Sequence, residues 1–314
     1  MFHYQAYGLT IQSVFLLTEL TKSKKTADIY IQKGKVKLPQ LEPTSINRQG
    51  KEAHFGGNTQ EAYLRWHGIA TLLAKNGDTI IVDSDSDDID PQLLSLYILS
   101  EALGLILYQR GLFLLHASAV KIGEQVVIFA GCPGAGKSTT AAAFAKLGYT
   151  VVSDDMVAID LNSGDKPMVY PAFPQIKIWP PTVEGLGYDI STLPTLYPGS
   201  RKRVIRKPEN FPTQPFPLAH IFFLEDGRDF NVTPMAGNDA FLTLARFFPL
   251  PSQLLAEKNL EHYFQQCLQL ISQVDLWKIE KPKDFRILKE LITWVEQKIE
   301  TTHQSAQDVY LLQQ

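Results

Sequence analysis

Residues 131 to 139 read Gly131-Cys132-Pro133-Gly134-Ala135-Gly136-Lys137-Ser138-Thr139, which meets the phosphate-cradling pattern G-x-x-x-x-G-K-[ST] at every required position. Such a loop works only between a strand that ends at its first glycine and a helix that begins at its lysine. Gln125 to Ala130 (QVVIFA) is a short, β-branched apolar run of the kind that forms a buried parallel strand. Lys137 to Leu147 is rich in alanine and is expected to be helical, with Gly148 as its stop and its positive N-terminal end turned toward phosphate. Both halves of the context are present, so an α/β core with a nucleotide triphosphate as first candidate ligand is expected. Backbone N–H groups of Gly131 to Thr139 would cradle the phosphates, Lys137 would reach the β- and γ-phosphates, and Ser138 would offer its hydroxyl to Mg²⁺.

Composition narrows the partners. The 314 residues are 45% hydrophobic and 20% charged, enough to bury a sizeable core. A net charge of −3 argues against sequence-independent nucleic-acid binding, which needs a basic excess. Cys132 and Cys267 are the two cysteines and cannot build a disulfide framework, so a reducing cytoplasm is expected. The start lacks a signal-like basic and apolar pattern, and no apolar run is expected to reach the roughly 20 residues of a membrane span.

Two parts are expected along the chain: a β-rich N-terminal subdomain, residues 1–88, and a nucleotide-binding part, residues 89–314, ending in helices. In the first, Tyr7 to Phe15, Ala27 to Ile31, Ala62 to Ala70 and Thr79 to Val82 read as strands. Lys33 to Asn58 reads as loop with one short strand. The acidic run Asp83 to Asp90 lacks the glycine and terminal glutamate of a calcium loop and reads as a solvated turn capping a helix over Leu93 to Tyr108. Leu112 to Ile122 and Gln125 to Ala130 flank Gly123 as a hairpin-like pair, and Tyr149 to Ser153 and His220 to Leu224 read as further strands. Residues 160–215 are proline- and glycine-rich and are expected to rim the site, with short strands such as Ile176 to Trp179. Asn238 to Glu300 carries helical periodicity broken by Pro249, Pro251 and Pro282.

Asp154-Asp155 closes the strand after the loop helix, at the sheet edge where ligands bind in open α/β folds. Neighbouring strand residues point to opposite sides, so one carboxylate can face Mg²⁺ while the other faces an acceptor. His116 sits inside an apolar run and on its own reads as a satisfied core residue. The basic run Ser200 to Arg206 can clamp a phosphate or an acidic peptide, or be a solvated loop. Trp179 and Tyr197 read as packing groups, and the other histidines show no ligand spacing.

Taken together, HAS at 116–118, GCPGAGKST at 131–139 and SDD at 153–155 resemble the catalytic domain of the bacterial HPr kinase/phosphorylase family and its stand-alone HPr-kinase-related relatives. More loosely, YGLTIQS, QIKIWP and Lys202-Arg203-Val204 resemble the stand-alone kinases, including those that phosphorylate lasso-peptide precursors. The resemblance implies a mixed-sheet α/β kinase core shared distantly with ATP-dependent phosphoenolpyruvate carboxykinases. It also implies ATP and Mg²⁺ as cofactors and transfer of the γ-phosphoryl to a hydroxyl, most naturally serine, of a protein or peptide. Carried over, Asp154 is the general base, His116 orients it, Lys137 neutralises phosphate charge, Ser138 and Asp155 take the metal, with exchange of the two aspartates' roles as the alternative, and Lys202 and Arg203 are candidates for phosphate or substrate. Thr139 stands where the bifunctional enzymes have an acidic residue, and their glutamate-arginine-glycine signature is not matched after Pro171. Forward transfer, to an acceptor other than HPr, is therefore the expectation. The family's hexamers raise homo-oligomerisation as an expectation too. A nucleotide-dependent regulatory module and a small-molecule kinase are the alternative readings.

Overall fold

The computed structural model describes residues 1–256 and 258–312. It is built on two large sheets. The first holds nine strands in the order Thr21–Lys22, Phe2–Ala6, Leu9–Ser13, Ile29–Lys33, Thr79–Ser84, Ala70–Lys75, Glu61–Trp66, Lys51–Gly57 and Glu42–Arg48. Alternation sets its faces: in Glu61–Trp66, Ala62, Leu64 and Trp66 are fully buried while the residues between them are not. Across that face runs one helix, Pro91–Gln109, capped by Asp90, whose carboxylate accepts the N–H groups of Gln92 and Leu93. Trp66 meets Tyr97 edge-on at 4.9 Å between ring centres.

Two expectations change here. Lys33 to Asn58 contains a full hairpin, Glu42–Arg48 and Lys51–Gly57, where loop with one short strand was expected. Its polar sequence hides it because it forms the sheet's outer edge, half in solvent, and its turn rests on Gln49 and Gly50, both at positive φ (57° and 75°). Pro91–Gln109 is also long and apolar enough to cross a membrane, contrary to expectation, although most of it is buried within the protein. Its apolar side shares one continuous core with the first sheet, with Tyr97, Ile98, Leu103 and Ile106 packed among Ile11, Leu64 and Leu72.

The second sheet places Asn231–Met235, Asp275–Lys281, Phe216–Asp226, Gln125–Gly131, Ala117–Ile122 and Thr150–Ser153 side by side. Gln125–Gly131, Phe216–Asp226 and Asp275–Lys281 run parallel, so their carboxyl ends meet at one edge. Both faces are covered. Val126, Ile128 and Ala130 pack with the helices Gly237–Ala245 and Lys258–Gln273, and Val127 and Phe129 pack with Lys137–Lys146 and Ile287–Leu312. Asp275–Lys281 lies in a stretch read as helical; its neighbours on both sides are helices, and seven residues are too few to override their periodicity.

What positions the site is a shared bend. The run expected as one strand, Leu112 to Ile122, breaks at His116 into Phe113–Leu115 and Ala117–Ile122. Its antiparallel neighbour breaks at the same level into Thr150–Ser153 and Val157–Asp160, with Leu115 opposite Val157 and Ala119 opposite Ser153. His116 and Asp154-Asp155 are therefore the residues at which both chains turn out of the sheet.

The hairpin turn Tyr7-Gly8, at φ 53° and 73°, docks the first sheet on this bend. The Tyr7 N–H donates to Pro171 O at 2.8 Å and its hydroxyl to Met156 O at 3.1 Å. A Cβ on Gly8 would stand 2.7 Å from the Tyr170 ring, whereas one on Gly50 would meet nothing within 4 Å. Gly8→Ala is expected to cost about 2–4 kcal/mol, left-handed strain plus a displaced ring, against about 1–2 kcal/mol for Gly50→Ala. Thermal unfolding of the two variants checks this; equal losses would mean that the turn does not bear on the second sheet.

Candidate active site

The phosphate loop opens the site. Gly134 and Gly136 lie at φ 88° and 99°, conformations that glycine alone adopts cheaply. Gly131 ends its strand with no room for a side chain, since a Cβ would stand 2.7 Å from Leu224 O. No side chain caps Lys137–Lys146 at Gly136, so the first-turn N–H groups and the positive helix end face the cavity. The Lys137 ammonium donates to Gly131 O at 2.7 Å and lies 3.4 Å from Cys132 O. Burial pushes its pKa down, and the charges of Asp155 and Asp154 oppose that.

Asp154 is almost fully buried and saturated with donors. Its Oδ1 accepts the hydroxyls of Ser118 at 2.7 Å and Ser138 at 2.9 Å, and its Oδ2 accepts the Lys177 N–H at 2.9 Å. Asp155 turns the other way because its backbone is left-handed (φ 86°), a strained state for a residue other than glycine. Its Oδ2 receives the Lys177 ammonium at 2.7 Å and lies 3.9 Å from Arg48 Nη1. Burial raises the Asp155 pKa, but Lys177, Arg48 and His116 outweigh it and hold the carboxyl well below its usual range.

His116 is anchored through its N–H to Phe247 O at 2.8 Å. Burial lowers its pKa; Asp155 works against this, and Lys137 and Arg48 add to it.

These groups surround a cavity of about 800 Å³ between the two sheets. Every expected loop residue except Ala135 lines it, as do His116, Asp154, Asp155 and Lys202; Ala135 is buried beneath the loop. Arg203 does not line the cavity: it begins the strand Arg203–Arg206, and adjacent residues of an extended chain point apart. Lys202 lies over the exposed Trp179 ring at 5.2 Å, a cation–π contact at the rim. The aspartates are arranged differently from the expected division, since Ser138 is bonded to Asp154 and not to Asp155.

Sequence reasoning missed Arg48, Glu101, Lys177 and Arg246. A lone charge within an apolar run marks two of them, Glu101 in LYILSEALGLIL and Lys177 in QIKI, because a buried charge demands a partner. Nothing local marks Arg48, which reaches the site only through folding of the N-terminal sheet.

Among the described residues, no group of three His, Cys, Asp or Glu side chains could hold a metal by itself. Ser138 Oγ and Asp154 Oδ1, 2.9 Å apart, are hard oxygen donors suited to Mg²⁺, which takes one or two protein ligands and completes its shell with water and phosphate oxygens.

No family model matches the sequence, and no curated protein matches it. Among solved structures, the HPr(Ser) kinase/phosphatase from Coxiella burnetii is similar over 62% of this chain and 99% of its own, with 12% identity and a TM-score of 0.35. At that level of likeness, function is left to the site's own geometry.

The electrostatics make a direct prediction. With histidine signals assigned through His116→Gln, NMR titration should place the His116 midpoint below 6.5 and move it lower still in Asp155→Asn, where the opposing carboxylate charge is gone. A midpoint at or above 6.5, or one unmoved by Asp155→Asn, contradicts this description.

Proposed function

We propose that the chain is an ATP- and Mg²⁺-dependent kinase that transfers the γ-phosphoryl to a hydroxyl, most naturally a serine, of a protein or peptide. The observation that carries this is the bond from Ser138 to Asp154 at the open end of the loop helix, with a second carboxylate, Asp155, facing the same cavity. A phosphate loop alone binds; a second, separately oriented carboxylate beside it is what transfer to a hydroxyl requires.

Loop N–H groups and Lys137 hold the triphosphate, Lys137 exchanging its carbonyl contacts for phosphate oxygens. Mg²⁺ held by Ser138 and Asp154 would neutralise charge on the β- and γ-oxygens. Asp155, with Lys177 beside it, receives the acceptor hydroxyl. The acceptor oxygen forms a bond to the γ-phosphorus, the bond from that phosphorus to the β,γ-bridging oxygen breaks, and ADP leaves with the electron pair. The acceptor's proton passes to Asp155. Its low pKa is no obstacle, because in a loose transition state the hydroxyl becomes acidic only as the new bond forms. His116, which lines the same cavity, is assigned to orient the acceptor-side carboxylate. The base and metal roles of the two aspartates are thus the reverse of those the resemblance implies.

A polypeptide acceptor is favoured by the wall opposite the loop. Ser45 to Arg48 line it, and they belong to the edge strand of the first sheet, where an extended chain can find main-chain partners. Free Cys132, exposed in the loop, fits a reducing cytoplasm, where ATP and Mg²⁺ are available.

The test follows γ-labelled phosphate from ATP into acceptors offered as a lysate or as serine peptides. Lys137→Ala should abolish nucleotide binding. Asp155→Asn should keep binding and lose about 10²- to 10⁴-fold in transfer, and Asp154→Asn should raise the Mg²⁺ requirement. Transfer at the normal rate in Asp155→Asn would sink its role as base. Binding with no label transferred or released would leave a nucleotide-dependent regulatory module as the better reading.

A further inference from the structure

Arg48 comes from the far end of the N-terminal sheet yet stands in the phosphoryl-transfer cavity. Its Nε donates to both oxygens of Glu101, at 2.7 and 3.0 Å, and Glu101 is buried in a π-helical stretch, Ile98–Ala102, of the long helix. Such stretches interrupt α-helices chiefly where function needs a side chain re-aimed. Ser100 Oγ lies 2.6 Å from both Glu101 Oε2 and Leu96 O, its single proton shared between the two acceptors. The guanidinium is thus gripped from behind, by one of its five N–H donors. Among the described residues, its Nη groups make no hydrogen bond, and their one charge contact, to Asp155 at 3.9 Å, is beyond hydrogen-bond reach.

Stability does not explain this arrangement, since apolar side chains usually replace a buried ion pair at no loss. Reach does. Arg48 and Lys137 line one cavity, the arginine from the edge strand of the first sheet and the lysine from the phosphate loop of the second. A planar fork with its terminal donors open, beside the carboxylate assigned to the acceptor, matches the equatorial oxygens of a phosphoryl group.

We propose that Arg48, delivered by the N-terminal sheet and held by Glu101, is an arginine finger supplied within the chain, donating through its Nη groups to the non-bridging oxygens of the phosphoryl in transit. This rests on the kinase reading and extends it: the N-terminal sheet is part of the catalytic unit, and Glu101 is a positioning residue.

The test uses the chain with Mg²⁺, γ-labelled ATP and the same lysate or serine-peptide acceptors, with turnover followed by release or transfer of label and nucleotide affinity by a fluorescent ATP analogue. Arg48→Ala should lose about 10²-fold or more in single-turnover rate while analogue affinity stays unchanged. Added guanidinium ion should restore part of that rate, a response that a purely structural role would not give. Arg48→Lys keeps a charge against Glu101, and so keeps the fold, but lacks the fork and should be nearly as slow as Arg48→Ala. Glu101→Gln should fall between. Arg48→Lys turning over like the unaltered chain, or a loss in Arg48→Ala that tracks weakened analogue binding, overturns the finger while leaving the kinase reading intact. An unaltered chain that binds the analogue but never turns over ATP overturns both.

Discussion

One buried carboxylate ties the half around the phosphate loop together. Asp154 accepts hydrogen bonds from Ser118 on the strand beside the loop strand, from Ser138 on the loop helix and from the backbone of Lys177 in the small sheet Gln175–Ile178 and Arg203–Arg206. Three chain segments far apart in sequence converge on two oxygens. Three donors leave little of the carboxylate unsatisfied, which is the condition for a buried charge to be tolerated. The loop helix is therefore aimed by the same group proposed to share its metal, and positioning and chemistry cannot be separated there.

The second constraint is the paired bend. An antiparallel ladder normally sends adjacent side chains to opposite faces, and leaving the sheet at His116 and at Asp154 to Met156 frees both strands from that rule. Asp155 then occupies a left-handed backbone state that costs of order 1–3 kcal/mol. Its surroundings hold it there. Ser153 Oγ bonds to Met156 O, Tyr7 bonds to the same carbonyl from the other sheet, and Lys177 fixes the carboxylate. Strain at this point divides the two aspartates between two environments, one closed by three donors and one open to the cavity.

Legibility in the sequence follows the range of the interactions. The loop, its strand and its helix were legible because their signals are local: glycines at fixed spacing, a β-branched run and an alanine-rich run. The convergence of His116 with the aspartates came only through resemblance, because a lone histidine in LFLLHASAVKI carries no sign that the strand breaks there. Lys33 to Asn58 was misread because an edge hairpin with one wet face, EPTSINR against KEAHFGG, looks like loop when apolar content is the guide. Arg48 lay out of reach altogether; its role depends on a π-helical turn some fifty residues away. The different surroundings of the two aspartates also did not show, since they turn on a single positive φ at Asp155.

The charge of the cavity adds one further step. Among the described residues lining it, five permanent cations, Arg48, Lys137, Lys177, Lys202 and Arg246, stand against three carboxylates, Glu101, Asp154 and Asp155. Taking cations into a partly dry cleft is costly: burial lowers the Lys137 pKa, and the carboxylates of Asp155 and Asp154 oppose that fall. A ligand rich in phosphate offsets the excess of positive charge. The cations are also not spread evenly: Lys137 belongs to the loop, while Lys177 and Arg48 stand 2.7 and 3.9 Å from Asp155. Anionic charge is thus expected on both sides of the transferring group, on the nucleotide side in the triphosphate and on the acceptor side in the phosphoryl as it arrives.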